Sequence, residues 1–247
     1  MNIDISKNYQ ELSKKVAEEV IEIIKRKNNA VLCFPSGDTP LGLFITLVEN
    51  QNLKRADFSQ CKFIGLDEWV GLDIDDEGSC QHFIYNNLFN RLKIKNSNII
   101  FFDAKSPDLL SECKRVDRII GELGGIDLIV LGIGMNGHLG FNEPYCNPHL
   151  SSLVIDLDEI TKDVGKKYFP NNLVPQKGIS LGLGQIMASR KVIMMANGEK
   201  KADIVQEIVE NEISIQIPAS LIRNHNNSFL FIDEAASKKL SINYLKT

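Results

Sequence analysis

Short apolar runs alternate with helix-like stretches along most of this chain. The runs lie at 30–34, 63–66, 99–102, 126–131, 192–195 and 229–232. Between them apolar residues recur every three or four positions, the period of an amphipathic helix. These stretches are 8–27, 40–48, 79–92, 107–123, 200–209 and a short one at 219–224. Strands separated by helices need crossover connections, so the pattern predicts an α/β, Rossmann-like fold in which a mainly parallel twisted sheet carries helices on both faces.

The chain has 247 residues, enough for one large core, and shows no linker, internal repeat or low-complexity tract. Because α/β folds of this length often form one unit, we expect a single domain over residues 1–247. The alternation is interrupted between Glu143 and Lys177, where turn-rich polar sequence surrounds a strand-like stretch at 152–157. We expect loops or a lid in this segment.

Charge and composition exclude several classes of partner. The formal net charge is -4, with 28 Lys plus Arg against 32 Asp plus Glu and no basic run, so we expect no nucleic-acid partner. No segment approaches the roughly 18 to 20 apolar residues of a membrane span. The five cysteines are scattered and form no C-x-x-C pair, which argues against a disulfide framework or a zinc site. Together these features predict a cytoplasmic protein with a small-molecule substrate.

Ligands of open α/β sheets bind beyond the carboxyl ends of the strands, and three of these ends carry unusual residues. The first is the loop Ser36-Gly37-Asp38-Thr39-Pro40. Gly37 permits close backbone approach, and Thr39 can cap a helix that begins at Pro40. Unpaired amides at such a helix start would receive a phosphate. An ordinary capped turn fits the same spacing equally well.

The second strand end carries two adjacent carboxylates, Asp67 and Glu68, beside the chain's one tryptophan, Trp69. Neighbouring side chains of an extended segment point opposite ways, so one carboxylate can face a site while the other serves structure. Partial desolvation by Trp69 would raise the pKa of the carboxylate that faces the site towards that of a general base. Taken alone, the segment fits a surface acidic turn better.

The third strand end is rich in glycine. Four glycines lie between residues 132 and 140, with His138 among them and Glu143 shortly after. Such a glycine density is costly unless the backbone turns tightly or approaches a ligand. His138 and Glu143 are the components of an acid/base group and its orienting partner. We expect the other histidines to be surface or structural residues, namely His82, His149 and His225.

These three segments, in this order, resemble the glucosamine-6-phosphate deaminase family, its relatives the galactosamine-6-phosphate isomerases/deaminases and, more distantly, the 6-phosphogluconolactonases. The matching motifs are the phosphate loop at 36–40, the catalytic strand end at 66–69, and the ring-opening motif at 137–138 with 141–144. The resemblance extends from about Val31 to Asp233 and includes 174–175, 179–182 and 198–202. It implies the sheet fold of the deaminase/isomerase type.

The resemblance also implies a reaction and the residues that perform it. Asp67 would move a proton between C2 and C1 of the open-chain sugar, and His138, oriented by Glu143, would open the ring. The substrate's phosphate would be held by Ser36, Gly37, Asp38, Thr39 and Lys201. The products would be a ketohexose 6-phosphate and ammonia, made from galactosamine-6-phosphate or glucosamine-6-phosphate with no metal or redox cofactor.

Two positions depart from the family pattern. The family's phosphate-binding arginine before Val174 has no counterpart here, and Lys166 or Lys167 would replace its bidentate fork with a point charge. Asn136 stands where many deaminases carry an aspartate as third member of the ring-opening group, although part of the family has asparagine. Its amide can hold His138 in place but cannot stabilise a histidinium by charge.

Two other functions are open to the same fold. A 6-phosphogluconolactonase would use the glycine loop and His138 to activate water, but those enzymes usually continue Gly-His with a Ser-Leu-Phe-Pro type of stretch. Here 141–144 supplies the carboxylate that a ring opener needs. A non-catalytic sugar-phosphate sensor would not need Asp67 and His138 together. The deaminase is therefore the preferred hypothesis.

Two family differences refine this hypothesis. Trp69 and Cys80 stand where tyrosines are usual in the glucosamine branch, so we predict a preference for galactosamine-6-phosphate. Many enteric members are allosteric hexamers that hold an activator phosphate with serines and basic residues after the Asn-Glu-Pro motif. Residues 145–155 contain no Arg or Lys, so we predict no activation by an N-acetylated amino-sugar phosphate. The hexamers also make a homo-oligomer an expectation for this chain.

Overall fold

The computed structural model describes residues 1–169 and 175–241, and these form ten strands and eight α-helices. The strands are β1 (Asn2–Ser6), β2 (Val31–Phe34), β3 (Lys62–Gly65), β4 (Asp67–Trp69), β5 (Ile99–Ile100), β6 (Leu128–Gly132), β7 (Ser152–Asp156), β8 (Lys177–Leu181), β9 (Val192–Ala196) and β10 (Ser228–Asp233). The helices are α1 (Tyr9–Arg26), α2 (Leu41–Asn52), α3 (Cys80–Ile84), α4 (Asn90–Leu92), α5 (Leu109–Glu122), α6 (Glu159–Gly165), α7 (Leu183–Ala188) and α8 (Ala202–Glu210).

Seven strands form a parallel sheet in the order β1-β10-β9-β6-β2-β3-β5. Alternate residues of the central strand β2 enter opposite core layers. Cys33 packs in the layer that contains residues of α5 and α8, and Leu32 packs in the layer built with α1 and α2. Since both faces are covered, all four residues of β2 are buried. The predicted α/β sheet with helices on both faces is confirmed.

The first two helices begin with different kinds of cap. The side chain of Asn8 accepts a hydrogen bond from the Glu11 amide at 2.9 Å, which caps α1. The predicted cap of the second helix is wrong: α2 begins at Leu41, and no side chain caps it at Pro40. Instead the Tyr9 hydroxyl accepts from the Gly42 amide at 2.7 Å and donates to the Thr39 carbonyl at 2.8 Å.

A second, antiparallel sheet of three strands, in the order β4-β8-β7, was not anticipated. The chain leaves the main sheet after β3 and enters β4, where Asp67 pairs with Ser180 and Trp69 with Gly178. A continuous apolar run from 63 to 66 gives no sign of this change of sheet. As a result, Asp67 lies beyond the carboxyl edge of the parallel sheet, where ligands of such folds bind.

The segment 143–177, predicted to form loops or a lid, contains regular structure besides β7. It includes α6 and a following 3₁₀ turn at Lys166–Tyr168. Residues 170–174, including Val174 of the sequence motif, lie outside the described residues. None of the helices in the described ranges is long and apolar enough to cross a membrane.

Candidate active site

One cavity of about 570 Å³ lies at the carboxyl ends of β2, β3, β6 and β9. It brings the three sequence segments together. Seven of the predicted site residues line it, namely Ser36, Gly37, Asp38, Thr39, Asp67, His138 and Lys201. The two others, Asn136 and Glu143, are hydrogen-bonded to each other and surround the ring of His138. The structure therefore brings all nine predicted residues together, seven in the cavity wall and two behind His138.

Asp67, the first residue of β4, presents a buried carboxylate to this cavity. Asp67 is only 7% exposed. Burial raises the pKa of its carboxyl group from 3.8 to about 6, although Cys80 and His138 act to lower this pKa. Among the described residues Oδ1 is buried without a hydrogen-bond partner. A carboxylate that is ionised at neutral pH and has one oxygen without a protein partner is suited to accept a proton from a ligand.

Glu68 points away from the site and holds the backbone around it. Its carboxylate accepts hydrogen bonds from the amides of Trp69 at 2.8 Å, Cys80 at 2.9 Å and Gln81 at 2.8 Å. Burial raises the pKa of Glu68 to about 8, and these amide donors oppose the rise. The expected division of the pair into one carboxylate at the site and one in the structure matches this geometry.

His138 is held by a short hydrogen-bonded chain. Its Nδ1 lies 2.7 Å from Oδ1 of Asn136, whose Nδ2 donates to Oε2 of Glu143 at 3.0 Å. Since the Asn136 amide nitrogen is the donor to Glu143, its oxygen accepts, and Nδ1 of His138 carries the hydrogen. The tautomer so fixed leaves Nε2 as the basic ring nitrogen. The ring packs on Gly134, where an added Cβ would lie 2.4 Å from ring atoms.

Glu143 anchors this chain as a buried carboxylate. It also accepts from the Asp158 amide at 3.3 Å. Burial acts to raise its pKa, but its neighbours His138, Thr161 and Asn136 act in the opposite direction, and the net pKa is lowered. The ionised carboxylate is therefore the favoured state, and it supplies negative charge behind the imidazole ring.

Two lysines also line the cavity. Lys201 donates to the Ile133 carbonyl at 2.5 Å, and its burial, together with Lys167, lowers its pKa to about 8. Lys167 lies 2.5 Å from Oδ2 of Asp38 and lines the cavity. Lys166 pairs instead with Asp163 outside it, so of the two sequence candidates the structure brings Lys167 into the site.

The loop after β2 contributes a tight backbone turn at Gly37, next to the Asp38 carboxylate that pairs with Lys167. Gly37 has a φ of 96°, and an added Cβ would lie 3.3 Å from the hydroxyl of Tyr168. A side chain here would be strained and would crowd the loop. The loop, Lys167 and Lys201 together form a polar pocket of the kind that accepts a phosphate dianion.

Trp69 and Cys80, singled out by sequence, both line the cavity. Trp69 packs against Phe141 and Phe169, with ring centroids 4.7 and 5.5 Å apart. The thiol of Cys80 accepts a hydrogen bond from the Ser36 hydroxyl at 3.1 Å. These two residues therefore form part of the wall between the 36–40 loop and Asp67.

The structure adds site residues that the sequence did not single out. Thr161 of α6 places its hydroxyl 3.1 Å from Nδ1 of His138, and Tyr168 closes the cavity over Gly37. Both lie in the segment expected to be loops or a lid, which offered no motif or periodicity to mark them. Their roles follow from contacts between residues far apart in the sequence.

The remaining histidines lie away from the cavity. Nε2 of His225 is 2.8 Å from the Ser189 carbonyl, and Nδ1 of His82 is 3.0 Å from the Ile74 carbonyl. Within residues 1–169 and 175–241, no group of three or more His, Cys, Asp or Glu side chains could hold a metal ion.

The family described as glucosamine-6-phosphate isomerases/6-phosphogluconolactonase matches residues 4–231 of this chain. The chain belongs to this family. Among its relatives, a glucosamine-6-phosphate deaminase of Clostridium acetobutylicum is 39% identical over 97% of this chain and 100% of its own. One from a Thermoanaerobacter species is 37% identical over 100% of this chain and 98% of its own.

Solved structures within the family share the fold to different degrees. The structure of a monomeric glucosamine-6-phosphate deaminase has a TM-score of 0.94 and 32% identity, covering 97% of this chain and 100% of its own. The 6-phosphogluconolactonase from Trypanosoma brucei has a TM-score of 0.76 at 19% identity, covering 97% and 98%. At that identity the likeness to the lactonase shows the fold alone.

Proposed function

We propose that this chain is an amino-sugar 6-phosphate deaminase. It converts the amino aldose phosphate to a ketohexose 6-phosphate and releases ammonia. The observation that carries this proposal is the presence, at one cavity, of the Asp67 carboxylate with its unpartnered Oδ1 and of the His138–Asn136–Glu143 chain. The first group suits proton transfer at carbon, and the second suits proton transfer at oxygen. The names of the relatives support the same reaction.

In the first step the phosphate binds between the 36–39 loop, Lys167 and Lys201. Nε2 of His138 takes the proton of the anomeric hydroxyl and returns it to the ring oxygen, so that the pyranose opens to the aldehyde. The imidazole is transiently charged in this exchange. Glu143, ionised and reached through Asn136, stabilises that charge.

In the second step the Asp67 carboxylate removes the proton from C2 of the open-chain sugar, and O1 takes up a proton from the substrate's own C2 ammonium group, which leaves an enolamine at C1–C2. The same group then returns the proton to C1, and the C2–N bond becomes an imine. Addition of water at C2 releases ammonia and gives the ketose. A base with a pKa of about 6 suits this task, because it is ionised at neutral pH yet holds the proton well enough to return it.

The deciding experiment measures ammonia release from galactosamine-6-phosphate and glucosamine-6-phosphate in parallel, with hydrolysis of 6-phosphogluconolactone as a third arm. Ammonia release from either amino sugar is the expected result. Lactone hydrolysis without ammonia release would replace the proposed function by the lactonase alternative. Absence of turnover in all three arms would favour the sugar-phosphate sensor.

The preference between the two amino sugars is a finer prediction. We expect a higher kcat/KM for the galacto epimer, because Trp69 and Cys80 replace phenol hydroxyls in the cavity wall and change its hydrogen bonding. The named relatives are glucosamine-6-phosphate deaminases, so the same assay decides between the two arguments. A clearly higher kcat/KM for the gluco epimer would contradict the branch assignment and leave the reaction class intact.

Activation by an effector is a separate prediction. We expect the substrate curve to be unchanged by an N-acetylated amino-sugar phosphate, because residues 145–155 offer no cation to hold its phosphate. Initial rates across substrate concentration, with and without the effector, measure this. A sigmoidal curve that became hyperbolic on adding the effector would show that an activator site exists.

We also propose that residues 1–247 act as one catalytic domain in the cytoplasm, with a lid between residues 143 and 177. In support, α6 and the turn after it contribute Thr161, Val164, Lys167 and Tyr168 to the cavity wall. The chemistry calls for no metal or redox cofactor. Homo-oligomer formation stays a prediction, which light scattering on the purified chain tests directly.

A further inference from the structure

The helix α6 contacts the ring-opening group at two points. Thr161, only 4% exposed, places Oγ1 3.1 Å from Nδ1 of His138. The amide of Asp158, the residue that caps α6, donates to Oε1 of Glu143. A helix that forms part of the cavity wall is thus joined to both the imidazole and its carboxylate.

The donor and the acceptor can be assigned for the hydrogen bonds around His138. Nδ1–H of His138 has two acceptors within reach, Oδ1 of Asn136 at 2.7 Å and Oγ1 of Thr161 at 3.1 Å. The direct distance from Nδ1 to Oε2 of Glu143 is 3.5 Å, too long for a good hydrogen bond. Thr161 also acts to lower the pKa of Glu143, which is the effect of a hydroxyl directed as a donor towards an ionised carboxylate.

We propose that Thr161 is a positioning residue for ring opening: its hydroxyl accepts from Nδ1–H of His138 and donates to Glu143. This inference rests on the proposed function. When His138 takes the anomeric proton at Nε2, Nδ1–H becomes a stronger donor and its acceptors stabilise the charged ring. Because residue 136 is asparagine, the side chain hydrogen-bonded to Nδ1 carries no charge. The Glu143 carboxylate therefore acts on the ring through two polar groups, the Asn136 amide and the Thr161 hydroxyl.

The test compares Thr161→Val, which keeps the branched shape and removes the hydroxyl, with Thr161→Ser, which keeps the hydroxyl. Asp163→Asn is the matched control on the same helix, since it alters only an exposed pair with Lys166. Each variant is assayed with the cyclising amino-sugar phosphate and with its 4,5-dideoxy analogue, which has no hydroxyl that can close a furanose or pyranose ring.

For Thr161→Val we expect kcat on the cyclising substrate to fall roughly tenfold to a hundredfold, as for loss of a hydrogen bond to a charged group. KM should change little, and turnover of the 4,5-dideoxy analogue, relative to wild type, should stay within about threefold. Thr161→Ser should recover most of the lost kcat. Asp163→Asn should match wild type on both substrates.

Several results would overturn the role of Thr161 while the proposed function stood. These are wild-type kcat in Thr161→Val, equal losses on both substrates, or a Thr161→Ser variant as impaired as Thr161→Val. If Thr161→Val did not fold, judged by its thermal transition, a fully active Thr161→Ser with an unchanged ratio of the two substrates would still support the hydroxyl's role, and an impaired one would oppose it. A wild-type chain that released no ammonia would refute the proposed function instead.

Discussion

Asp67→Asn is expected to lower kcat for ammonia release by roughly a hundredfold to ten-thousandfold, the usual contribution of a general base. The amide keeps the size of the side chain but cannot accept the C2 proton. Binding should be largely kept, because the proposed phosphate contacts are made by the 36–39 loop, Lys167 and Lys201, which the substitution leaves in place. Single-turnover kinetics and calorimetric titration of substrate measure the two effects separately. Wild-type turnover in this variant would show that Asp67 is not the base.

The stability of the same variant provides its control. Burial raises the pKa of Asp67 from 3.8 to about 6, so at pH 7 the folded chain holds an ionised carboxylate that the unfolded chain would solvate better. This costs stability above pH 6, and the cost disappears as the pH falls through 6 towards 3.8. At 1.36 kcal/mol per unit the cost is at most roughly 3 kcal/mol. Asp67→Asn should therefore unfold at or above the wild-type temperature, which excludes misfolding as the cause of its lost activity.

The pH dependence of the wild-type enzyme follows from the same pKa. As the pH falls below about 6, Asp67 takes up a proton and can no longer act as a base. In a plot of kcat/KM against pH, the rate should therefore decline on the acid side with an apparent pKa of about 6. An acid limb near pH 4, the ordinary range of an exposed aspartate, would mean that the base is another group or that Asp67 is better solvated.

The parallel sheet and the three site segments could be predicted from sequence because each depends on local pattern. A run such as 128–131 is apolar because both faces of its strand are covered, and helices between such strands make the crossovers of a parallel sheet. The residues after each run then meet at one edge of the sheet. Asp67 and His138 therefore belong to one site although 71 positions separate them in the chain.

The rest of the site depends on contacts that have no local sequence pattern. Asp67 lies in β4 because that strand pairs with β8, 110 or so positions later, a partner that the apolar run at 63–66 cannot reveal. The choice of Lys167 over Lys166 depends on which side of a 3₁₀ turn faces the cavity. Thr161 acquires its role from the packing of a seven-residue helix against His138. Such tertiary contacts are outside the reach of propensity and spacing.

Ring opening and proton transfer at carbon can be separated by changing the substrate. His138→Gln should reduce turnover of the cyclising amino sugar by roughly a hundredfold to ten-thousandfold, because glutamine can hydrogen-bond but cannot exchange a proton between the two oxygens. Turnover of the 4,5-dideoxy analogue, which is always open, should fall much less, since Asp67 remains in place. His149→Gln, an exposed histidine outside the cavity, is the matched control and should leave both rates unchanged.

This comparison also tests the order of the proposed steps. If His138 acts only on the closed ring, supplying the open form restores most of the lost rate, whereas Asp67→Asn remains inactive on both substrates. The two variants therefore give opposite responses to the same change of substrate. Equal losses in His138→Gln on both substrates would mean that His138 acts after the ring has opened, and its assignment as the ring-opening group would be wrong.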